Sequence, residues 1–162
     1  GRAPTKSHPC FIITSASSLQ CPKKLHTKVE EHTRSERRLK KFFALMPPRS
    51  RPLGYFHSHT DWGGTRYRAI MSISDILSMS REEAKIEFII GISSQKKGGA
   101  KWSVHQNGSV RGSFGSKRDN YRFNINAYIL DYQEGKFPVP IRIKIAAPEA
   151  IKVLNSALRS SL

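Results

Sequence analysis

The sequence predicts an α+β fold built on a mixed, mostly antiparallel sheet flanked by helices. Three observations carry that expectation. Short apolar runs rich in β-branched residues, such as Ile86–Ile92, alternate with segments of helical period. Turn signals cluster late in the chain, at Asn107-Gly108 and Glu134-Gly135. Helix boundaries are marked by capping residues and prolines at Ser72, Pro47-Pro48 and Pro148.

The elements follow in order. Cys10-Phe11-Ile12-Ile13-Thr14 reads as a buried strand. Thr33 and Glu36 have capping-box spacing, and Leu39, Phe42, Phe43 and Met46 form one apolar face before Pro47-Pro48 stops the helix. Leu53–His59 reads as a strand entering a loop that holds Gly63-Gly64. Ser72 is the expected N-cap of the next helix, with Asp75 at its third position and Ile73, Ile76, Leu77 and Ala84 carrying its period. Ile86–Ile92 is a second buried strand. Trp102–Val110 forms a hairpin around Asn107-Gly108, a favoured two-residue turn. Tyr121–Tyr132 and Val139–Ile145 are two more strands. Pro148 opens a last helix, with Ala150, Ile151, Leu154, Ala157 and Leu158 on its apolar side.

At 162 residues the chain is expected to form a single domain, 1–162, with 113–162 as a C-terminal extension of it. Hydrophobic residues make up 38% and charged residues 25%, the balance of a soluble globular protein. No run approaches a membrane span and no signal peptide is visible, so a cytoplasmic or nuclear setting is expected and a membrane partner is not. Two cysteines, Cys10 and Cys21, exclude a disulfide framework and a four-thiolate zinc site. The net charge of +16 predicts attraction to acidic partners, nucleic acid among them, although no nucleic-acid-binding motif accompanies it.

The chemistry-bearing residues lie in the middle of the chain. Alternate residues of a strand face one side, so His57 and His59 project together and two imidazoles can reach one ion. Taken alone, His-x-His is weak evidence, and two ordinary surface or packed histidines are the commoner case. Ser72 and Asp75 share a face at the start of the following helix, where Asp75 can supply a third, oxygen ligand. A fourth position left to water is the mark of a catalytic zinc site. Ser72 can then donate to a developing oxyanion. The competing reading of Ser72-x-x-Asp75 is a simple capping box. Asp61 is a rival oxygen ligand, and His8, His26, His32 and His105 show no ligand spacing with one another.

With Gly54-Tyr55-Phe56-His57-Ser58-His59, then Ser72-x-x-Asp75, then Phe88-Ile89-Ile90-Gly91-Ile92, the sequence resembles the JAMM (MPN-plus, Mov34/JAB) metalloprotease domain over roughly residues 10–112. The resemblance implies an MPN/JAB-like, cytidine-deaminase-like three-layer fold. It implies zinc on His57, His59 and Asp75, with Ser72 stabilising the oxyanion. It also implies cleavage of a peptide or isopeptide bond, as in a ubiquitin-like conjugate, either alone or beside a partner subunit. Three departures stand out. Thr60 replaces the usual Pro, and twelve residues rather than seven separate His59 from Ser72. In the lengthened loop Trp62, Arg66 and Arg68, with Tyr67, are candidate substrate contacts. By this alignment the family's N-terminal helix, its first strand and its general-base glutamate fall upstream of Gly1. Glu30 and Glu31 are the nearest candidates within the chain. A water-activating carboxylate matters because it takes the proton as water attacks. The alternatives are a catalytically inactive MPN scaffold and a nucleic-acid-associated basic protein.

Overall fold

The computed structural model describes residues 11–13, 16, 24–25, 28–29, 37, 41, 44–45, 52–60, 69–82, 84–95, 101–115 and 120–160. The chain divides into two compact units, Gly1–Arg51 and Pro52–Leu162. In the first unit β1 (Lys24–Leu25) pairs antiparallel with β2 (Lys28–Val29). Arg37, Lys41 and Ala44 are helical, inside the segment where the apolar period predicts a helix. Leu39, Phe42, Phe43 and Met46 lie outside the described residues. The strand expected at Cys10–Thr14 is not formed at Phe11, Ile12 and Ile13, and Ile12 is 81% exposed. An apolar run becomes a buried strand only where a neighbouring strand takes its backbone groups, and nothing local in that run supplies one.

The second unit is α+β, with a mixed sheet of six strands and two helices. The strands are β3 (Gly54–Thr60), β4 (Ile86–Gln95), β5 (Ser103–Val104), β6 (Val110–Gly115), β7 (Asn120–Asp131) and β8 (Val139–Ile143). Helix α1 spans Ile73–Arg81 and α2 spans Pro148–Ser160. The sheet runs β3-β4-β7-β6-β5, with β8 also on β7. β3 and β4 are parallel, and every other pairing is antiparallel. β7 holds the sheet together. β4 lies along one side of it, while β6 takes Asn120–Ile125 and β8 takes Ala127–Asp131 on the other.

The parallel pair demands a crossover, and α1 supplies it. Register puts His57 beside Ile89, Ile89 beside Asn126, and Glu87 beside Tyr128, so these residues share one sheet face. On that face Ala69, Met71, Ile76, Met79, Ile89 and Tyr128 form the core, with Ala84 and Leu130 against it. The helix buries Ile76 and Met79, whereas Ile73 and Leu77, expected on its apolar side, are 70% and 54% exposed. Met79 displaces them because Asp75, Ile76 and Met79, at i+3, i+4 and i+7 from the N-cap Ser72, form the stripe that faces the sheet.

The hairpin between β5 and β6 forms where Asn107-Gly108 predicts it, but with a longer loop. Gly108 N–H donates to His105 O at 2.9 Å and His105 N–H to Ser109 O at 2.8 Å. The turn therefore centres on Gln106 and Asn107, and Gly108 at φ +83° takes the left-handed position that follows. Asn107 Oδ1 accepts from both the N–H and the hydroxyl of Ser109, which fixes this choice. The next hairpin turns at Gly135, φ +69°, as its sequence predicts. In α2, Ile151 and Leu154 are half-buried, while Ala150 and Ala157 are exposed. Asn155 clamps the chain at Trp102, accepting from its N–H at 2.7 Å and donating to its C=O at 2.9 Å. The Trp102 ring lies on Phe123 and fills the space beside Gly112, on the sheet face opposite Ile89. No helix among the described residues is long and apolar enough to cross a membrane.

Candidate metal centre

β3 leads to the centre from its start. Leu53 O accepts from the N–H groups of both Lys85 and Ile86, and a Cβ at Gly54 would collide with the carbonyl of Ile86. Glycine is thus required for β3 to lie this close to β4. The register that follows sets His57 and His59 on the helix-covered face. Their Nε2 atoms are 3.0 Å apart, and the rings are tilted by 51°.

Asp75 arrives from the first turn of α1. Ser72 caps that helix, its hydroxyl accepting from Asp75 N–H at 3.2 Å while its own N–H donates to Asp75 Oδ2 at 2.7 Å. The capping box is therefore real, and it does not compete with the metal-ligand reading. The same bonds aim the Asp75 carboxylate at the histidines, with Oδ1 3.4 Å from His57 Nε2 and Oδ2 3.6 Å from His59 Nε2. The segment entering α1 is pinned too. Ala69 O accepts from the Tyr128 hydroxyl at 2.7 Å and from the Asn126 side-chain amide.

His57, His59 and Asp75 form a group that can hold a metal ion. An ion in tetrahedral contact at about 2.0–2.1 Å sets its ligand atoms about 3.3 Å apart. The Nε2 atoms at 3.0 Å, and the two carboxylate oxygens, Oδ1 3.4 Å from His57 and Oδ2 3.6 Å from His59, lie near that value. The donor set, two imidazole nitrogens and one carboxylate oxygen, suits zinc and other divalent transition metals alike.

A residue the sequence reading passed over completes the site. Glu87, on β4, sets Oε1 3.0 Å from His57 Nδ1 and is 6% exposed. Its Oε2 is buried with no hydrogen-bond partner among the described residues. The signal was present: a carboxylate inside the apolar run Ile86–Ile92 is costly unless something uses it. His57 thus lies between two carboxylates. Burial alone would lower its pKa, but the bonds and charges of Asp75 and Glu87 outweigh that and raise it from 6.5 to about 9. Burial would raise the pKa of Asp75, yet His57 and the Ser72 bonds bring it from 3.8 down to about 2.

Of the predicted site residues, His57, His59, Asp75 and Ser72 are brought together. Trp62, Arg66, Arg68, Asp61, Glu30 and Glu31 lie outside the described residues. No protein-family model matches the chain, no curated protein matches its sequence, and no solved structure matches its fold.

Proposed function

We propose that the chain is a zinc-dependent hydrolase of the JAMM type, cutting a peptide or isopeptide bond with an activated water. The observation that carries this reading is the convergence of His57 Nε2, His59 Nε2 and the Asp75 carboxylate within 3.6 Å, from two elements brought together by a crossover. The resemblance to that family through Gly54–His59 and Ser72-x-x-Asp75 supports it. In this reading His57, His59 and Asp75 hold the ion, and the single oxygen ligand with two neutral nitrogens leaves a net positive centre. When bound, zinc lowers the pKa of a coordinated water and polarises a scissile carbonyl. The Ser72 hydroxyl spends only a lone pair on Asp75 N–H, so its proton can be donated to a developing oxyanion. A general-base glutamate preceding Gly1 is part of the same proposal. The MPN/JAB arrangement of the layers is part of it as well. The net charge of +16 favours an acidic conjugate or partner as the target.

The test has two parts. Elemental analysis of purified protein should find one zinc per chain, lost in the His57→Ala, His59→Ala double variant while its circular dichroism is unchanged. Zinc-loaded protein should then release a fluorophore from an isopeptide-linked ubiquitin-like substrate, and Ser72→Ala should slow that release about 10²–10³-fold. A folded wild type that takes up no zinc sinks the hydrolase reading. Zinc uptake without any release leaves the scaffold alternative in its place.

A further inference from the structure

We propose that Glu87 is a positioning residue of the metal centre: it takes the Nδ1–H of His57 and so commits Nε2 of that ring to the ion. The inference rests on the metal reading of His57, His59 and Asp75, and deepens it.

The register brings this about. Tyr55 lies beside Glu87 and His57 beside Ile89, so Glu87 is one step along the same face from His57. Its Oε1 meets Nδ1 at 3.0 Å, on the opposite side of the imidazole from Nε2, which faces Asp75 and His59. A ring whose Nδ1 donates to a carboxylate has one tautomer and one orientation, and its Nε2 lone pair is the atom left for a metal. The carboxylate also makes that nitrogen a stronger donor to the ion. In this geometry Oε1 is engaged at Nδ1, on the far side of the ring from Nε2, which suits a positioning carboxylate rather than the base that activates water.

Burial supports a dedicated role. The Glu87 side chain is 8% exposed, and its only ion-pair partner among the described residues is His57. Oε2 is buried without a partner among the described residues. An apolar residue there would pack into β4 without leaving that orphan, so stability alone does not account for a carboxylate at this position.

The experiment measures zinc affinity by competition with a chromophoric chelator, for wild type, Glu87→Gln and Glu87→Ala. Long-range ¹H–¹⁵N spectra of the zinc-loaded wild type accompany it. Zinc affinity should fall about 10–100-fold in Glu87→Ala. Glu87→Gln, which keeps an acceptor for Nδ1–H, should recover part of it. The spectra should show His57 protonated at Nδ1 and ligated through Nε2, a result that needs no variant to fold. Unchanged affinity in both variants, or ligation through Nδ1, overturns the role of Glu87 while leaving the metal reading intact. A wild type that binds no zinc overturns both.

Discussion

The Asp75 carboxylate is bound at Oδ2 by the backbone N–H of Ser72 at 2.7 Å, and the same carboxylate faces both histidines. One side chain thus caps a helix and belongs to a group that can hold a metal ion. The two duties can be separated. Ser72→Ala removes the hydroxyl acceptor but keeps the backbone donor, and should cost about 0.5–2 kcal/mol of stability. Asp75→Asn keeps an oxygen for Ser72 N–H but loses the charge that faces His57, so zinc uptake should drop sharply while the bonds of the cap remain. Denaturant unfolding paired with metal titration of the two variants checks both. Equal loss of zinc in the two would mean that cap integrity, not the carboxylate, governs the site.

The pH dependence follows from the shifted groups. His57, raised to about 9, holds its proton more tightly folded than unfolded. In metal-free protein that contribution is fully present below about 6.5 and is lost as pH rises through about 9. Asp75, lowered to about 2, contributes above about 3.8 and loses that contribution as pH falls through about 2. Metal-free stability should therefore be flat between these windows and decline on either side.

Metal uptake runs the other way. The proton on His57 Nε2 stands where the ion would bind, so it must leave first. Zinc affinity should rise about tenfold per pH unit between pH 6.5 and 8.5, with one proton released per ion. Calorimetry in buffers of different ionisation enthalpy reads that proton directly. A flat affinity over this range would contradict the placement of His57 between two carboxylates.

Gly54 is the most demanding position for a side chain, because an added Cβ meets the backbone of Ile86 rather than a yielding side chain. Gly54→Ala should force β3 away from β4 and cost about 1–3 kcal/mol or more. It should also weaken zinc binding, although residue 54 is not a ligand. Gly112→Ala meets the Trp102 ring instead, on the opposite sheet face. It should cost a similar amount of stability and leave zinc affinity unchanged.

Met79 tests the core beneath the site. It is 2% exposed and packs with Ile76, Ile89 and Tyr128. Met79→Ala should destabilise by about 2–5 kcal/mol in thermal or denaturant unfolding. A loss under 1 kcal/mol would mean that α1 is not seated on the sheet as described.

How much of this was legible in the sequence depended on whether the cause was local. The capping of α1 by Ser72, the turn at Gly135 and the opening of α2 at Pro148 are set by neighbouring residues, and each is where its signal puts it. The alternation that puts His57 and His59 on one face is equally local. Asp75 could be named because a capping position and a position facing the two histidines coincide there. Glu87 could not, because its partner is brought to it by strand register, and within its own run it is only one polar residue among apolar ones. Ile73 and Leu77 fit the helical period as well as Met79 does, and only the position of the sheet decides which side is buried. The exposed Ile12 shows the same dependence from the other direction.

The pairing of β3 with β4 also orders events in time. The hairpin of β7 and β8 closes across a short turn, whereas β3 reaches β4 only after the intervening loop and α1 have been traversed. Local hairpins are expected to form first and the parallel seam last. Among the described strands β3 is terminal in the sheet, held by a single neighbour. Both histidines ride on this late-joining strand while Glu87 waits on β4. Amide hydrogens of Tyr55–His59 should then exchange faster than those of Ile89–Ile92, and an ion bridging His57 to Asp75 would slow them by clasping the last seam shut.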